Sequence, residues 1–351
     1  MTLYSPCIRA IGPKDAKIVL IGEAPGEQEE KAGVPFIGPS GQQLDSMLKI
    51  AGLRRRDLYL TNVLFTRPPG NRLDDFLVSK RELPASYKLP ALRQGKYLHP
   101  ELLPELERLH AELEAVRPNL IIACGGPALW SVTSLHGITK MRGAVQPSRW
   151  GKVLPTLHPA TLLYPEGWAN RPIIIADFIK AKYESDFSEI RRPKRRLLIN
   201  PTLEELHEFF ALCKSARRLS IDVETKGGQI TLFGIALSPA LGAVIPFYDP
   251  RKSGNSYWSK EDEILVRALI NDTLSRPIPK LFQNGLYDLQ YLLREQYHIN
   301  LDNSDDTMIL HHALYPELPK SLGFMGSIYT NEASWKLLRE RGKDMNKRED
   351  E

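Results

Sequence analysis

The side chains able to do chemistry fall in a few short segments. Residues 22–41 read GEAPGEQEEKAGVPFIGPSG. Glycines and prolines there let backbone approach a ligand, and a helix beginning after them would offer free N–H groups to an anion. Glu23, Glu27, Glu29 and Glu30 stand where a triphosphate loop prefers lysine, which argues against a nucleoside triphosphate as ligand. Residues 61–72 (TNVLFTRPPGNR) supply the amides Asn62 and Asn71, and residues 154–167 (LPTLHPATLLYPEG) supply His158. An amide both donates and accepts hydrogen bonds, an imidazole can donate to developing negative charge, and a carboxylate can orient water. A second group lies further on. Asp222 and Glu224, in LSIDVET, are two apart, so on a strand both project from one face. Their mutual repulsion would be relieved by a divalent cation. Asp288, in LFQNGLYDLQYL, adds a third carboxylate, and an all-oxygen set suits Mg²⁺ or Mn²⁺. A pair of such ions about 4 Å apart can activate a water and stabilise a leaving oxygen.

These residues need strands and helices to place them. Residues 16–21, 57–64, 119–123 and 152–157 read as short buried strands, and residues 41–51 and 102–116 as amphipathic helices. The alternation predicts an α/β sandwich around a mostly parallel sheet. Each motif of the first group then follows a strand, at the edge where open α/β sheets bind ligands. Residues 73–99, polar and carrying Lys80, Arg81, Lys88, Arg93 and Lys96, read as a surface insertion. Residues 188–196 (SEIRRPKRR) have linker composition. Beyond them a helix (202–214), three strands (219–223, 230–237, 243–247) and further helices (260–274, 286–297) predict α/β structure with a mixed sheet.

The 351 residues suffice for two domains. No apolar run reaches the 18 or so residues that span a bilayer. The N-terminus has no signal-peptide pattern, and three scattered cysteines do not make a disulfide framework. The expected setting is the cytoplasm. A net charge of +5 is compatible with nucleic acid without demanding it.

GEAPGE-x-E, PF-x-G-x-x-G, TN-V…RPPGNR and HPA occur here in an order that resembles the family 4 uracil-DNA glycosylases, over residues 17–181. The resemblance implies a glycosylase α/β/α sandwich with a parallel sheet. It implies that Phe36 stacks on uracil, that Asn62 reads its O4 and N3–H, and that Glu29 and Asn71 shape the pocket and the water site. His158 would donate to O2, and Glu23 would position or activate the water. Leu162, Leu163 and Tyr164 would wedge into the gap left by the flipped base. Members commonly hold an iron–sulfur cluster on four cysteines. Here only Cys7 falls near an expected ligand, with Tyr4 and Glu105 near other ligand positions, so no iron–sulfur cluster is expected.

Asp222-x-Glu224, Asn284-x-x-x-Asp288 and SDDTMILHHALYPELPKSLGFMGSIYT (304–330) resemble the 3′→5′ proofreading exonuclease of family A DNA polymerases, phage members above all. This resemblance covers residues 197–335. It implies a ribonuclease-H-like fold, with Asp222, Glu224 and Asp288 as metal ligands and Asn284, Tyr287 and Asp306 in support. The family's last motif, Tyr-x-x-x-Asp, is absent after Asp288. The expected organisation is therefore a glycosylase domain (1–187), a basic linker (188–196), an incomplete exonuclease domain (197–335) and a charged tail (336–351). Asp344 or Asp350 could substitute there as a ligand. The chain resembles the front part of a longer polymerase, acting on uracil-containing DNA and 3′ ends in the cytoplasm of a cell or of a phage-infected host.

Two functions remain open from the sequence, beside a third reading in which the incomplete exonuclease fold is a structural platform. One is an enzyme that excises uracil, linked to an exonuclease module. The other is a non-catalytic uracil sensor attached to a replicative polymerase. Alkali-labile scission of a uracil-containing oligonucleotide separates them.

Overall fold

A computed structural model of the chain describes residues 7–252 and 254–332. Tyr4 and the stretch from 336 onward, with Asp344 and Asp350, lie outside the described residues. The chain forms two compact units, one of residues up to Arg191 together with those from Gly323 onward, the other of Arg192–Leu322. Among the described residues no helix is long and apolar enough to cross a membrane.

The first unit runs β1 (Ile18–Gly22), α1 (Glu27–Ala32), α2 (Pro39–Ile50), β2 (Leu58–Asn62), β3 (Leu77–Ser79), β4 (Lys96–Leu98), α3 (Leu103–Val116), β5 (Leu120–Cys124), α4 (Gly126–Thr133), α5 (Ile138–Met141), β6 (Gln146–Ser148), β7 (Gly151–Thr156) and α6 (Arg171–Glu184). Its main sheet is ordered β2-β1-β5-β7-β6, parallel except for the edge strand β6. Strands β1 (IVLIG) and β5 (LIIAC) are buried along their whole length, as parallel strands covered on both faces must be. Val19, Ile21, Ile121, Ala123 and Val153 share a core with Leu106, Leu109 and Leu113 of α3 and Leu129 and Trp130 of α4. The alternate residues Ile18, Leu20, Leu120, Ile122 and Leu154 are equally buried and face the other way, where α6 lies over β5 and β7 and against α2. The expected α/β/α sandwich is present. Because the chain leaves β1 for β2 on one side and later returns as β5 on the other, the strand order reverses at β1. The crevice at that reversal is where such sheets hold ligands.

Residues 73–99 differ from their expected character. They fold into the β3–β4 antiparallel pair, and Leu73, Phe76, Leu77, Leu92 and Leu98 enter the main core. The apolar residues are spaced too irregularly to show a period, which hides the hairpin in the sequence. A second difference concerns residues 323–332, which the exonuclease resemblance covers but whose contacts are with the first unit. Arg142 donates to Ser327 Oγ at 2.8 Å, Lys180 to the carbonyls of Ser327 and Thr330, and Asn331 to Glu184 Oε1 at 2.7 Å.

The second unit contains β8 (Arg196–Ile199), α7 (Leu203–Cys213), β9 (Leu219–Lys226), β10 (Gln229–Ser238), β11 (Leu241–Pro246), α8 (Lys260–Ser275), β12 (Lys280–Phe282), α9 (Gly285–Arg294), β13 (Asp305–Asp306) and α10 (Thr307–Leu314). The last helix, α11 (Leu322–Tyr329), begins at the boundary between the units. The second sheet is ordered β13-β12-β9-β10-β11-β8. An antiparallel trio, β9 to β11, is extended on the β9 side by β12 and β13 in parallel, each following a helix or loop crossover. This is the mixed, ribonuclease-H-like order. Helix α7 starts with a capping box, Thr202 with Glu205, and buries Leu206, Phe209 and Phe210 against the sheet core.

Under α6 in the first unit, Asp177 (1% exposed) accepts from Arg142 (3% exposed) and from Thr156 Oγ1 at 2.8 Å. Removing the carboxylate leaves a buried guanidinium without its counter-charge. Asp177→Ala should therefore cost about 3–5 kcal/mol, read as a lowered urea midpoint; an unchanged midpoint would show that the pair carries no such burden.

Candidate active site

Glu23 follows β1, Asn62 ends β2, Gly125 follows β5 and His158 lies two residues past β7, so all four stand at the carboxyl edge of the parallel sheet. A cleft of about 490 Å³ at that edge is walled by Glu23, Glu29, Phe36, Asn62, Asn71 and His158, with Leu163 and Tyr164 at its side. The sequence-predicted residues of the first group thus share one cavity, with one exception. Leu162 is 6% exposed and does not line the cleft, whereas Leu163 and Tyr164 are 48% and 67% exposed. The short turn Pro159–Leu163 lies against α2. Leu162 therefore belongs to the packing, a correction to its expected place beside Leu163 and Tyr164 in a DNA wedge.

Close approach explains several glycines. A Cβ on Gly22 would sit 2.2 Å from Asn62 Oδ1 and 2.5 Å from the Phe36 ring, and one on Gly125 would sit 2.1 Å from Glu23 Oε1. Phe36 itself holds φ 55°, a left-handed conformation that costs energy for a bulky residue and tends to mark functional sites. Its loop is tied by Glu29, a buried carboxylate that accepts from Gly38 N–H at 2.8 Å. The Phe36 and His158 rings lie nearly parallel, 25° apart in plane, with centres 6.2 Å apart. Asn71 accepts from Arg67 Nε at 2.8 Å, and Arg67 pairs with Glu30 at 2.7 Å, which fixes the far end of the same loop.

Electrostatics divides the two titratable groups. Burial pushes the Glu23 carboxyl up to about 7, opposed by the charge of Arg93. Burial pushes the His158 imidazole down to about 4, opposed by Glu29. At neutral pH His158 is uncharged. Its Nδ1 accepts from Ala160 N–H at 3.1 Å, which leaves the ring proton on Nε2 as a free donor. A second cavity of about 680 Å³ meets the first at Glu23 and His158 and is lined by Arg93, Gly125, Gly126 and His136. The sequence named Arg93 only as one basic residue of an insertion; its reach to Glu23 depends on the β3–β4 hairpin.

In the second unit Asp222 and Glu224 are exposed on one face of β9. Asp288, buried at the start of α9, accepts from Val223 N–H at 2.8 Å. Burial and the neighbouring Glu224 raise Asp222, and burial, with Asp222 and Asp306 adding to it, pushes Asp288 up to about 6. Asp306 caps the starts of α9 and α10, accepting from Gly285 N–H at 2.7 Å and Met308 N–H at 2.8 Å. Asn284 holds the left-handed N-cap of α9, and Tyr287 bonds Thr225 at 2.5 Å. Crowded carboxyls of this kind suit a hard cation in donor type. Yet among the described residues no three acidic, histidine or cysteine side chains form a ready cage. An iron–sulfur cluster in the first unit does not fit. Cys7 donates to Phe65 O at 3.1 Å, Glu105 is taken up by backbone donors, Cys124 is buried in β5, and Cys213 lies in the second unit.

Residues 10–178 match the model of the uracil DNA glycosylase superfamily. A type-4 uracil-DNA glycosylase of Archaeoglobus fulgidus is 36% identical over 198 residues, which cover 54% of this chain and 81% of that protein. A DNA polymerase of Bacillus phage SP01 is 23% identical over 330 residues, 86% of this chain and 33% of that protein. Among solved structures, the catalytic core of RRP6 from Trypanosoma brucei aligns with 40% of this chain and 38% of its own, at 18% identity and a TM-score of 0.31. With four-fifths of a 36%-identical relative spanned by a unit whose motifs converge on one cleft, the chain belongs to the type-4 uracil-DNA glycosylases.

Proposed function

We propose that the first unit removes uracil from DNA by hydrolysing its N-glycosidic bond. One observation carries this reading: an aromatic ring, an amide, a neutral imidazole and a buried carboxyl, from four separate segments, wall a single cleft. A uridine flipped out of the helix would enter it, with Phe36 against the base and Leu163 and Tyr164 facing the gap left behind. The Asn62 amide offers a donor to O4 and an acceptor to N3–H, and cytosine presents the opposite pattern. As the bond from N1 to C1′ breaks, its electron pair leaves with the base and charge builds on O2. The Nε2–H of His158 stabilises that charge without itself carrying a charge that would need solvation. Water then bonds to C1′ and gives its proton to the Glu23 carboxylate. Glu29 and Asn71 shape the loops around the base and the water.

The second unit reads best as a 3′→5′ exonuclease module, and the chain as the N-terminal part of a DNA polymerase at work in a phage-infected cell. The support is the phage polymerase, whose match extends over 86% of this chain, more than either unit could fill alone. Asp222, Glu224 and Asp288 would hold Mg²⁺ or Mn²⁺, which would supply an activated water and stabilise the leaving 3′ oxygen. Tyr287, which bonds Thr225 next to Glu224, and Asn284, the N-cap of α9, would support the site, and Asp306 caps the helix that carries Asp288. The partners of such a chain are uracil-containing DNA, DNA 3′ ends and a polymerase domain.

Glu23 works as a base only when ionised. The rate of uracil release, as kcat/KM, should therefore rise with pH through an apparent pKa of about 7 and then level, since His158 stays neutral above about 5. Glu23→Gln should abolish that limb, and a profile flat from acid to alkaline pH in the unaltered chain would refute Glu23 as the base. His158→Ala should lower kcat about 100–1,000-fold with little change in affinity for DNA, measured by single-turnover release and by filter binding. Asp222→Ala should leave uracil release untouched, because it adds no atom to the cleft, while ending any Mg²⁺-dependent shortening of a labelled 3′ end.

A further inference from the structure

The peptide of Phe65, three residues past Asn62, is gripped from both sides. The backbone N–H of Cys7 donates to Phe65 O at 3.0 Å, and the Cys7 thiol donates to the same oxygen at 3.1 Å. Opposite them Glu105, on α3 and only 8% exposed, accepts from the N–H groups of Phe65 and Thr66 and from the Thr66 hydroxyl. One turn along α3, Arg108 lays its guanidinium 3.4 Å from the centre of the Phe65 ring. The same Arg108 donates through Nη2 to the carbonyls of Asn62 at 2.8 Å and Val63 at 3.0 Å. Glu112, a further turn on, pairs with Arg108 at 3.0 Å and accepts from Thr61 Oγ1 at 2.8 Å. Spacings of three and four put Glu105, Arg108 and Glu112 on one helix face. That row fastens the segment from Thr61 to Thr66. The segment in turn fastens the catalytic edge of β1, since Val63 N–H donates to Gly22 O and Leu64 N–H to Glu23 O, each at 3.0 Å.

We propose that Glu105 and Arg108 are positioning residues, holding the Asn62 amide in register for uracil and, through Leu64, the backbone of Glu23. The proposal rests on the uracil-excising function inferred above. It also gives a reason why a metal cluster is dispensable here. The peptide on which Cys7 and Glu105 converge is held by a carboxylate on its N–H side, while a guanidinium packs on the Phe65 ring, with no thiolates to spare for iron. A carboxylate accepting three donors and a guanidinium nitrogen bridging two carbonyls fix both position and orientation, which a single apolar contact would not. Loss of either lets the backbone bearing the uracil-reading amide drift, and a drift of about 1 Å at a reacting centre costs on the order of a hundredfold in rate.

The test uses the full chain and four variants, Arg108→Met, Arg108→Lys, Glu105→Gln and Glu105→Ala. For each, kcat, KM, the ratio of uracil to cytosine release, affinity for uracil-free DNA and the melting temperature are measured. Arg108→Met should lose about a hundredfold in kcat and narrow the uracil-to-cytosine ratio, with KM and uracil-free binding within about twofold. Arg108→Lys should recover part of the loss, because an ammonium keeps donors for the two carbonyls but lacks the planar contact with the Phe65 ring. Glu105→Gln should fall between the unaltered chain and Glu105→Ala. Folded variants that keep both kcat and the base ratio would overturn the proposal. So would losses that merely track the unfolded fraction and vanish on cooling. If the unaltered chain releases no uracil, the function reading fails by itself. The clamp is then judged by the preference for uracil-containing over uracil-free DNA, which Arg108→Met must reduce and which, if kept, sinks it. Iron and acid-labile sulfide in anaerobically purified chain should both be absent, and stoichiometric amounts would overturn the replacement.

Discussion

Desolvation at the carboxyl edge of the first sheet is the constraint on which the rest depends. The same withdrawal of water acts in opposite directions on an acid and a base: it lifts Glu23 to about 7 and lowers His158 to about 4. A carboxyl that can accept a proton near neutrality and an imidazole that stays uncharged are thereby produced in one cleft, because burial outweighs the opposing charges of Arg93 and Glu29. The parallel sheet, the strained Phe36 and the glycines at 22 and 125 are what let these groups crowd together. A more open edge would return both to ordinary solution behaviour.

Much of this was legible in the residue string, and the reasons are specific. Strands β1, β2, β5 and β7 are short, mostly apolar runs ending in glycine, asparagine, cysteine and threonine, and the motif residues lie at or within two residues of their ends. Strand ends are local features, so Glu23, Asn62 and His158 could be placed at one edge before any coordinates. Leu162 could not be separated from Leu163 and Tyr164, because a 3₁₀ turn gives neighbours different faces and leaves no period to read. Glu105 was invisible as a clamp for another reason: its partners lie about 40 residues away in sequence and are mostly backbone, which carries no sequence signature.

The second unit shows the opposite balance. Its acidic residues Asp222, Glu224 and Asp288 stand out in the residue string, and its sheet is mixed as expected. What sequence could not convey is that Asp288 spends one oxygen on Val223 N–H and that Asp306 serves as a shared cap for two helices. These three bonds tie acidic side chains to main chain, so the fold itself fixes the orientation of Asp288 and Asp306.

The buried ends of Arg142, Lys180 and Glu184 find their hydrogen-bond partners at Ser327, Thr330 and Asn331, 147 to 185 residues later in the chain. During synthesis on a ribosome, these three groups, which also bond Asp177, Gly143 O and Lys152, are made long before those later partners. At ordinary elongation rates the interval is on the order of ten seconds. The N-terminal sheet can form in that time, but these later bonds close only when the polypeptide has passed residue 331, so the first-made unit is completed only after the whole of the second unit has been synthesised.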